Sequence, residues 1–258
     1  MKLRPLTVLL SCEHGGNKVP QEYRQLFAPH RELLQTHRGW DPGTKQLAEL
    51  WQRELACELH LATVTRLLVD LNRSPHHRSV FSEITRTLPL AEKHRMLDVF
   101  HTPHRQQIID SVKQAVASGE RVLHVGVHSF TPQLHGTVRN ADVSLLYDPA
   151  SRWESELSSH WRTSLRESKL EPRVRLNYPY RGNTDGLTTT MRKLVPADCY
   201  AGIEIEVNQA IPLAGGRLWR DYQAACINSL NAVLAGLTVA RPALLSGRSG
   251  FDRAGPSK

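Results

Sequence analysis

The 258-residue sequence lacks the short motifs that identify several large enzyme classes. It has no GxSxG nucleophile elbow, no GxxxxGK phosphate-binding loop and no HExxH zinc-binding helix. Gly136 and Gly182 stand without the further glycines of a dinucleotide-binding fingerprint. The chemistry of this chain must therefore be read from residues that are scattered along the sequence.

Long apolar runs and paired cysteines are also absent. No segment approaches the roughly 18 apolar residues that a membrane-spanning helix needs, and the apolar run 6–10 lacks a signal-peptide cleavage pattern, so we expect no export signal. None of the four cysteines has a CxxC spacing: Cys12, Cys57, Cys199 and Cys226. Reduced thiols and a cytoplasmic location are the predictions.

Blocks of like charge are missing too, although the net charge is +8 and the pI is near 9.6. Basic residues occur in every region, without the aromatic interleaving that stacks nucleic-acid bases. Nucleic-acid binding is therefore an unlikely use of this charge. Attraction of a small anionic substrate is the interpretation we favour.

What the sequence contains is an alternation of apolar runs and amphipathic patterns that predicts an α/β fold. We expect one domain over residues 1–240, with a mixed, mostly parallel β-sheet flanked by helices on both faces. Strands are predicted at 6–11, 62–69, 121–130, 141–147 and 201–208. Helices are predicted at 45–60, at 90–117 with a break or kink at Pro103, at 151–168 and at 214–237. Residues 173–191 are expected to form a functional loop, and 241–258 a disordered tail.

Three predicted strands end in titratable residues, and strand ends are where open α/β sheets keep their ligands. The strand from 121 reaches His128, and the first strand ends before His14. Most of the 13 histidines must be ordinary loop or surface residues. Catalytic zinc takes three protein ligands and keeps a fourth position open. Because these two histidines come at the ends of apolar runs, they are the preferred candidates for such ligands.

The third ligand is less clearly marked in the sequence. Asp41, which lies in a turn just before an amphipathic helix, is our choice. Glu13 and Asn17 are its rivals. The thiol of Cys12, two residues before His14, is a weak candidate nucleophile because the two side chains need not touch.

Glu204 and Glu206 lie two apart on the last predicted strand, so both point to the same face. Carboxylates among Ile203, Ile205 and Val207 are costly to bury unless a charged or hydrogen-bonding group meets them. One of them could act as general acid and base beside a metal. A strand with one solvated face would explain the pair equally well.

Candidate substrate contacts follow the second predicted strand and occupy the long loop. Asn72 and Arg73 could hold a substrate carboxylate, although Arg73 could equally pair with Asp70 as a structural bridge. Tyr180, Arg181 and Arg192 are further candidates, because substrate contacts are expected there if the loop acts as a lid.

With these residues in place, the chain resembles the N-formylglutamate amidohydrolase family, in its shorter branch. The resemblance runs from about residue 6 to 236 and is carried by a set of motifs in the family's order: SCEHGG (11–16), GWDPG (39–43), VDLNR (69–73), VHS (127–129), NYPYRG with DG (177–182 and 185–186), and IEVNQ (205–209). Each motif is weak by itself. Their order along the chain is what makes the resemblance specific.

The resemblance implies a fold like that of zinc carboxypeptidases and of aspartoacylase and succinylglutamate desuccinylase, a phosphorylase/hydrolase-like sheet between helices. In those relatives a histidine and a glutamate three residues later bind zinc with a second histidine, an Asn-Arg pair holds the substrate carboxylate, and a late glutamate is the base. The order maps onto His14, His128, Asn72 with Arg73, and Glu206. This chain departs from it at Asn17, where the glutamate is expected.

The function we predict is a zinc-dependent amidohydrolase that cleaves an N-acyl acidic amino acid, most simply N-formyl-L-glutamate to formate and glutamate. The proposed site has one divalent ion on His14, Asp41 and His128, with Glu206 as the base. Two alternatives stay open. One is a hydrolase of another N-acyl amino acid or peptide-like amide, and the other is a non-catalytic protein that binds acidic metabolites.

Overall fold

A computed structural model describes residues 4–239 of the chain, so the predicted tail 241–258 lies outside the described residues. Its centre is a six-stranded sheet with helices on both faces, which confirms the α/β class. The strands of this sheet are β1 (Leu6–Cys12), β2 (Glu58–Leu61), β3 (Arg121–Phe130), β6 (Val143–Leu146), β7 (Val174–Leu176) and β8 (Tyr200–Asn208). A separate hairpin joins β4 (Gln133–Leu134) to β5 (Thr137–Val138).

The strand order is β2-β1-β3-β8-β6-β7, and the sheet is mixed but mostly parallel, as predicted. Only the β6–β8 pairing is antiparallel. Parallel strands bring their carboxyl ends to one edge of a sheet. The ends of β1, β3 and β8 therefore meet at a common edge, which is where the candidate residues were expected.

The longer helices are α3 (Thr44–Leu55), α4 (Leu90–Met96), α5 (Thr102–Ala117), α6 (Arg152–Arg166), α7 (Leu187–Leu194) and α9 (Gly216–Val239). Shorter ones are α1 (Arg24–Phe27), α2 (Arg31–Leu34) and α8 (Ala210–Ala214). One turn of π-helix, Leu97–His101, joins α4 to α5. No helix within the described range is both long and apolar enough to cross a bilayer.

The two faces of the sheet differ in chemistry. The face under α3, α6 and α9 is apolar throughout, with buried side chains such as Val125, Val127, Ile203 and Ile205. The opposite face is also apolar near the start of the strands, where Leu9 and Val122 pack against α5 and α7. Toward the carboxyl ends of the strands it becomes polar. The large apolar core therefore stabilises the sheet from one side and leaves the other side free for buried ionisable groups.

Two of the predicted elements are wrong. The helix predicted over 45–60 ends at Leu55, because Ala56 adopts a left-handed conformation with φ of 46° and the chain then enters β2. The predicted strand 62–69 is a loop with a single bridge between Lys18 and Val64. Its apolar residues are buried in a second cluster that includes Leu67, Leu68 and Val69. Burial in that cluster produced the strand-like pattern.

Other predictions of local structure are confirmed. The helical pattern over 90–117 is present as one continuous run of α4, the π turn and α5, and the π turn ends two residues before Pro103. Ser151 caps α6 by accepting the backbone N–H of Glu154 at 3.3 Å. The segment 173–191 contains β7 and the beginning of α7 around its loop.

Candidate metal centre and its cavity

A cavity of about 470 Å³ opens at the carboxyl ends of the central strands. It is of the size that holds a small organic molecule. Most of the candidate residues line it, drawn from segments far apart in the chain: His14, Asp41, Asn72, Arg73, His128, Tyr180, Arg181 and Glu206. Of the residues chosen from the sequence, only Arg192 does not.

Three different segments place the candidate ligands. His14 follows the last residue of β1, and His128 lies near the end of the neighbouring β3. Asp41 lies in the turn before α3, where its backbone N–H donates to the carbonyl of His14 at 2.9 Å. Gly43 completes this turn with φ of 86°, and a Cβ added there would lie 2.4 Å from Pro212 Cβ. A larger residue at that position would displace the turn that carries Asp41.

The two histidines converge on one carboxylate oxygen. Oδ2 of Asp41 lies 3.3 Å from Nδ1 of His14 and 3.1 Å from Nδ1 of His128. The imidazole centroids are 5.2 Å apart, and the three residues each offer a ligand atom within 4.8 Å of the others. Ligands at about 2.0–2.2 Å from a tetrahedral zinc lie about 3.3–3.5 Å from each other. The three side chains therefore fit one ion of that size.

Two further carboxylates hold the far sides of the imidazoles. Nε2 of His14 lies 2.8 Å from Oδ1 of Asp70, and Nε2 of His128 lies 3.0 Å from Oε2 of Glu13. A histidine that donates its second N–H to a carboxylate presents the other nitrogen to a metal. Asp70 thus selects the tautomer of His14 in which Nδ1 faces Asp41, while Glu13 makes a charged contact with Nε2 of His128.

The rivals for the third ligand lie elsewhere. Glu13 stands behind His128 rather than beside His14, and its carboxylate is 1% exposed. Asn17 donates its side-chain amide to the carbonyl of Leu34 at 3.0 Å and to Gln35, away from the histidines. Among the residues described, Asp41 is the side chain that completes the group.

Arg66 is a residue of the site that sequence reasoning missed. Its guanidinium lies 3.3 Å from Oδ1 of Asp41 and 2.8 Å from Oδ2 of Asp70, so it ties the central carboxylate to an outer one. The sequence carried a signal that could have revealed it. A charged residue inside a run interpreted as a buried strand, four residues before an aspartate, needs a carboxylate partner.

The charge balance of the cluster favours a cation. Burial opposes ionisation of Asp41, yet His14 and His128 keep the pKa of its carboxyl below the usual range. Burial likewise opposes protonation of His128, but hydrogen bonds to Asp41 and Glu13 raise the pKa of its imidazole well above the usual value. His128 therefore holds a proton between the carboxylates of Asp41 and Glu13, and a divalent ion would compete with that proton for the same ligand atoms.

Glu206 occupies the position expected of an acid–base residue. Its Cα pairs with that of His128 across β3 and β8, so the two side chains share a face. Burial raises the pKa of its carboxyl to about 8, with Asp41 and Glu204 adding to the shift while His128 opposes it. Oε2 of Glu206 has no hydrogen-bond partner within residues 4–239. Glu204 differs in that it accepts a hydrogen bond from the hydroxyl of Thr188 at 3.0 Å.

Asn72 and Arg73 line the cavity beside this cluster, and both are tied to the loop before α7. Oδ1 of Asn72 accepts the backbone N–H of Leu187 at 2.8 Å, and Nη1 of Arg73 donates to the carbonyl of Asp185 at 2.7 Å. The side chain of Arg73 does not pair with that of Asp70, which excludes the simple structural bridge from this arrangement. The remaining N–H groups of Arg73 have no partner among the described residues.

The three residues chosen from the long loop have different positions. Tyr180 is 44% exposed, and its hydroxyl accepts a hydrogen bond from Arg139 at 3.1 Å. Arg192 does not reach the cavity, because its guanidinium forms a buried pair with Glu154 at 2.8 and 2.9 Å and also donates to two carbonyls. Exposed arginines at the cavity opening have no carboxylate partner within residues 4–239, and we call them the mouth arginines: Arg78, Arg86 and Arg181.

The family model that describes N-formylglutamate amidohydrolase matches residues 6–212, which is most of the chain. The matched region includes all the residues of the cluster described above. The chain belongs to this family. Membership makes it an amidohydrolase and agrees with the resemblance found in the sequence motifs. No curated protein sequence gives a significant match.

Solved structures share the fold of this chain. A gene product of Agrobacterium tumefaciens superposes with a TM-score of 0.75 and 26% identity, over 90% of this chain and 91% of the other. The N-formylglutamate amidohydrolase of Ralstonia eutropha superposes with a TM-score of 0.66 and 19% identity, over 90% of this chain and 96% of that enzyme. At that identity the second likeness establishes the fold alone.

Proposed function

We propose that this family member is a metal-dependent amidohydrolase whose substrate is an N-acyl acidic amino acid, most simply N-formyl-L-glutamate. One observation carries the proposal. Nitrogens of two imidazoles and one carboxylate oxygen converge within 4.8 Å, in a cavity that is also lined by the buried Glu206, whose Oε2 has no hydrogen-bond partner among the described residues. Family membership supports amide cleavage. The ion, the substrate and the residue roles are the proposed part, as is a cytoplasmic location.

Zinc is the ion that the donor set favours. Two imidazoles and one carboxylate are typical of catalytic zinc, whereas calcium and magnesium prefer oxygen ligands alone. His14, Asp41 and His128 would hold it, with Asp70 and Glu13 fixing the two imidazoles. When bound, the ion supplies activation of water and polarisation of the amide oxygen.

Glu206 is the residue that moves the proton in this proposal. Its buried carboxyl lines the cavity beside His128 and would take a proton from the attacking water. It would then return that proton to the departing nitrogen, which leaves as an amine. The elevated pKa of its carboxyl, about 8, suits a group that both accepts and donates a proton near neutral pH.

We assign recognition of the acidic substrate to the part of the cavity that is lined by Asn72 and Arg73. Arg73, with N–H groups still available, and Asn72 would bind the substrate carboxylate, and bidentate guanidinium–carboxylate contacts supply both affinity and direction. Tyr180 and Arg181 lie in the loop before α7 and would contact the substrate from there. The backbone contacts of Asn72 and Arg73 hold the pair in place before the substrate arrives.

The experiment is a panel of N-acyl amino acids assayed for amine release, with and without added zinc, on the parent protein and three variants. His128→Ala should remove bound metal and activity together. Glu206→Gln should retain the metal and lose about 10²- to 10⁴-fold in kcat. Glu204→Gln is the matched control on the same strand face, and it should keep the metal and lose less activity. A Glu206→Gln protein with the parent rate would end the assignment.

Two alternatives are separated by the same measurements. Activity on another acyl group or a peptide-like amide, with no activity on N-formylglutamate, would keep the amidohydrolase and change its substrate. Protein purified without chelator that contains no stoichiometric metal and binds acidic metabolites without turnover would indicate a non-catalytic binder.

A further inference from the structure

Two buried polar side chains on neighbouring strands at the candidate site each have an oxygen without a hydrogen-bond partner among the described residues. The side chain of Ser144 is 0% exposed, and its Oγ has no partner within residues 4–239. Glu206 is 6% exposed, and its Oε2 also has no hydrogen-bond partner within that range. A buried hydroxyl without a partner is costly, so such groups in folded proteins usually have a partner that a rotation or a water supplies.

The register of the sheet makes these two side chains neighbours. Ser144 on β6 is paired with Glu206 on the adjacent antiparallel β8. Directly opposite residues point to the same face, with Cβ atoms about 4.5–5.5 Å apart. On the other side of Glu206, at the same level of the sheet, lies His128. A row across the sheet therefore runs from a proposed metal ligand through the proposed base to Ser144.

The other neighbour of Ser144 is already engaged. Arg175 on β7 is paired with Ser144 on its far side, but its guanidinium lies over the ring of Tyr178 at 4.1 Å. A guanidinium also has no acceptor atom to offer a serine O–H. The carboxyl oxygen of Glu206 is an acceptor, and Glu206 is the residue directly opposite Ser144 on the other neighbouring strand.

We infer that Ser144 is a positioning residue for Glu206. Its O–H donates a hydrogen bond to Oε2, either directly after a rotation about its Cα–Cβ bond or through one bridging water, and this bond holds the carboxyl in the orientation that faces the cavity. Ser144 does not itself line the cavity, so it acts on the reaction through Glu206 and not through the substrate. The catalytic part of this inference rests on the proposed function, because Glu206 must move a proton there.

The kinetic test uses Ser144→Ala and Ser144→Cys with a matched control. Loss of one hydrogen bond that orients a proton-transfer group should lower kcat about tenfold and leave KM within about twofold. The cysteine variant, a weaker donor of similar size, should fall between the parent and the alanine variant. Ser158→Ala is the control, since Ser158 is also fully buried with an unpartnered Oγ but lies on α6, against the opposite face.

The outcomes separate positioning from structure. A drop in kcat for Ser144→Ala, with parent rates for Ser158→Ala and an unchanged unfolding temperature for both, supports the inference. Equal rates for the parent and Ser144→Ala overturn it. A rise in KM without a fall in kcat also overturns it, because that would place Ser144 in substrate binding.

A spectroscopic test does not depend on turnover. The infrared stretching band of the Glu206 carboxyl can be isolated as the difference between the parent and Glu206→Gln. Ser144→Ala should shift this band, while Ser158→Ala should leave it in place. An unshifted band overturns the contact. If no substrate of the panel is cleaved but the band shifts, the proposed function has failed and the contact between Ser144 and Glu206 stands.

Discussion

The outer carboxylate Asp70 offers a quantitative test of how the metal centre is built. Its Oδ1 lies 2.8 Å from Nε2 of His14, and its Oδ2 is bound by Arg66 at 2.8 Å. Asp70→Asn preserves the size of the side chain and removes its charge. The imidazole of His14 would keep its place but lose the carboxylate that selects its tautomer and increases its basicity.

The expected effect is a loss of zinc affinity. Removal of such an outer partner typically costs about 10- to 100-fold in metal affinity, which corresponds to about 1.4–2.7 kcal/mol. Arg66 retains Asp41 as a partner in the variant, at 3.3 Å. The guanidinium is therefore not left unpaired, and we expect the fold to survive with a small loss of stability.

The assay is competition for zinc between metal-free protein and a fluorescent chelator at fixed pH and ionic strength, with circular dichroism to verify folding. Asp185→Asn is the control. That carboxylate also lines the cavity, but it accepts the backbone N–H of Ser74 and does not contact the histidines. Zinc affinity within twofold of the parent for Asp70→Asn, or an equal loss for Asp185→Asn, would refute the reasoning.

Three more predictions concern stability and charge. Arg192→Ala leaves the buried carboxylate of Glu154 without its pair, so we expect a loss of about 3–5 kcal/mol in the free energy of unfolding with unchanged zinc affinity, measured by urea denaturation and chelator competition. Burial lowers the pKa of His124 to about 4, against about 6.5 in the unfolded chain, so its protonation favours unfolding and stability falls as the pH drops from 6.5 to 4. Between pH 7 and pH 5 the parent should lose about 2 kcal/mol more than His124→Gln, and equal losses would contradict this account. For an anionic substrate, kcat/KM should fall several-fold between low salt and about 0.5 M salt, and replacement of the mouth arginines by glutamine should flatten this dependence.

The sequence was a good guide where local pattern and burial agree. The runs that became β1, β3 and β8 are continuous and apolar, so they could be recognised as buried strands without knowledge of their neighbours. His14 and His128 were found because each follows or ends such a run. The capping of α6 by Ser151 is likewise a local property, since the N-cap and the third helical residue contact each other.

Local pattern misled where distant packing decided the structure. The residues 62–69 are apolar because they fill a second cluster with Phe27 and Val80, and not because they form a strand. Arg192 carries a charge in a loop-rich region and looked like a substrate ligand. Its actual partner, Glu154, lies 38 residues away on α6, and no spacing in the sequence indicates that contact.

The α/β class, the strands that lead to the candidate histidines and the family to which the motifs point can all be read from the sequence. These depend on hydrophobic periodicity and on short motifs, which a single segment can express. Three contacts required the packed fold: Asp41 completes the group, Asp70 and Glu13 contact the imidazoles, and Ser144 is paired with Glu206 across the sheet. Each of those contacts joins segments far apart in the chain, and strand order and register, which set them, arise only when the whole sheet packs.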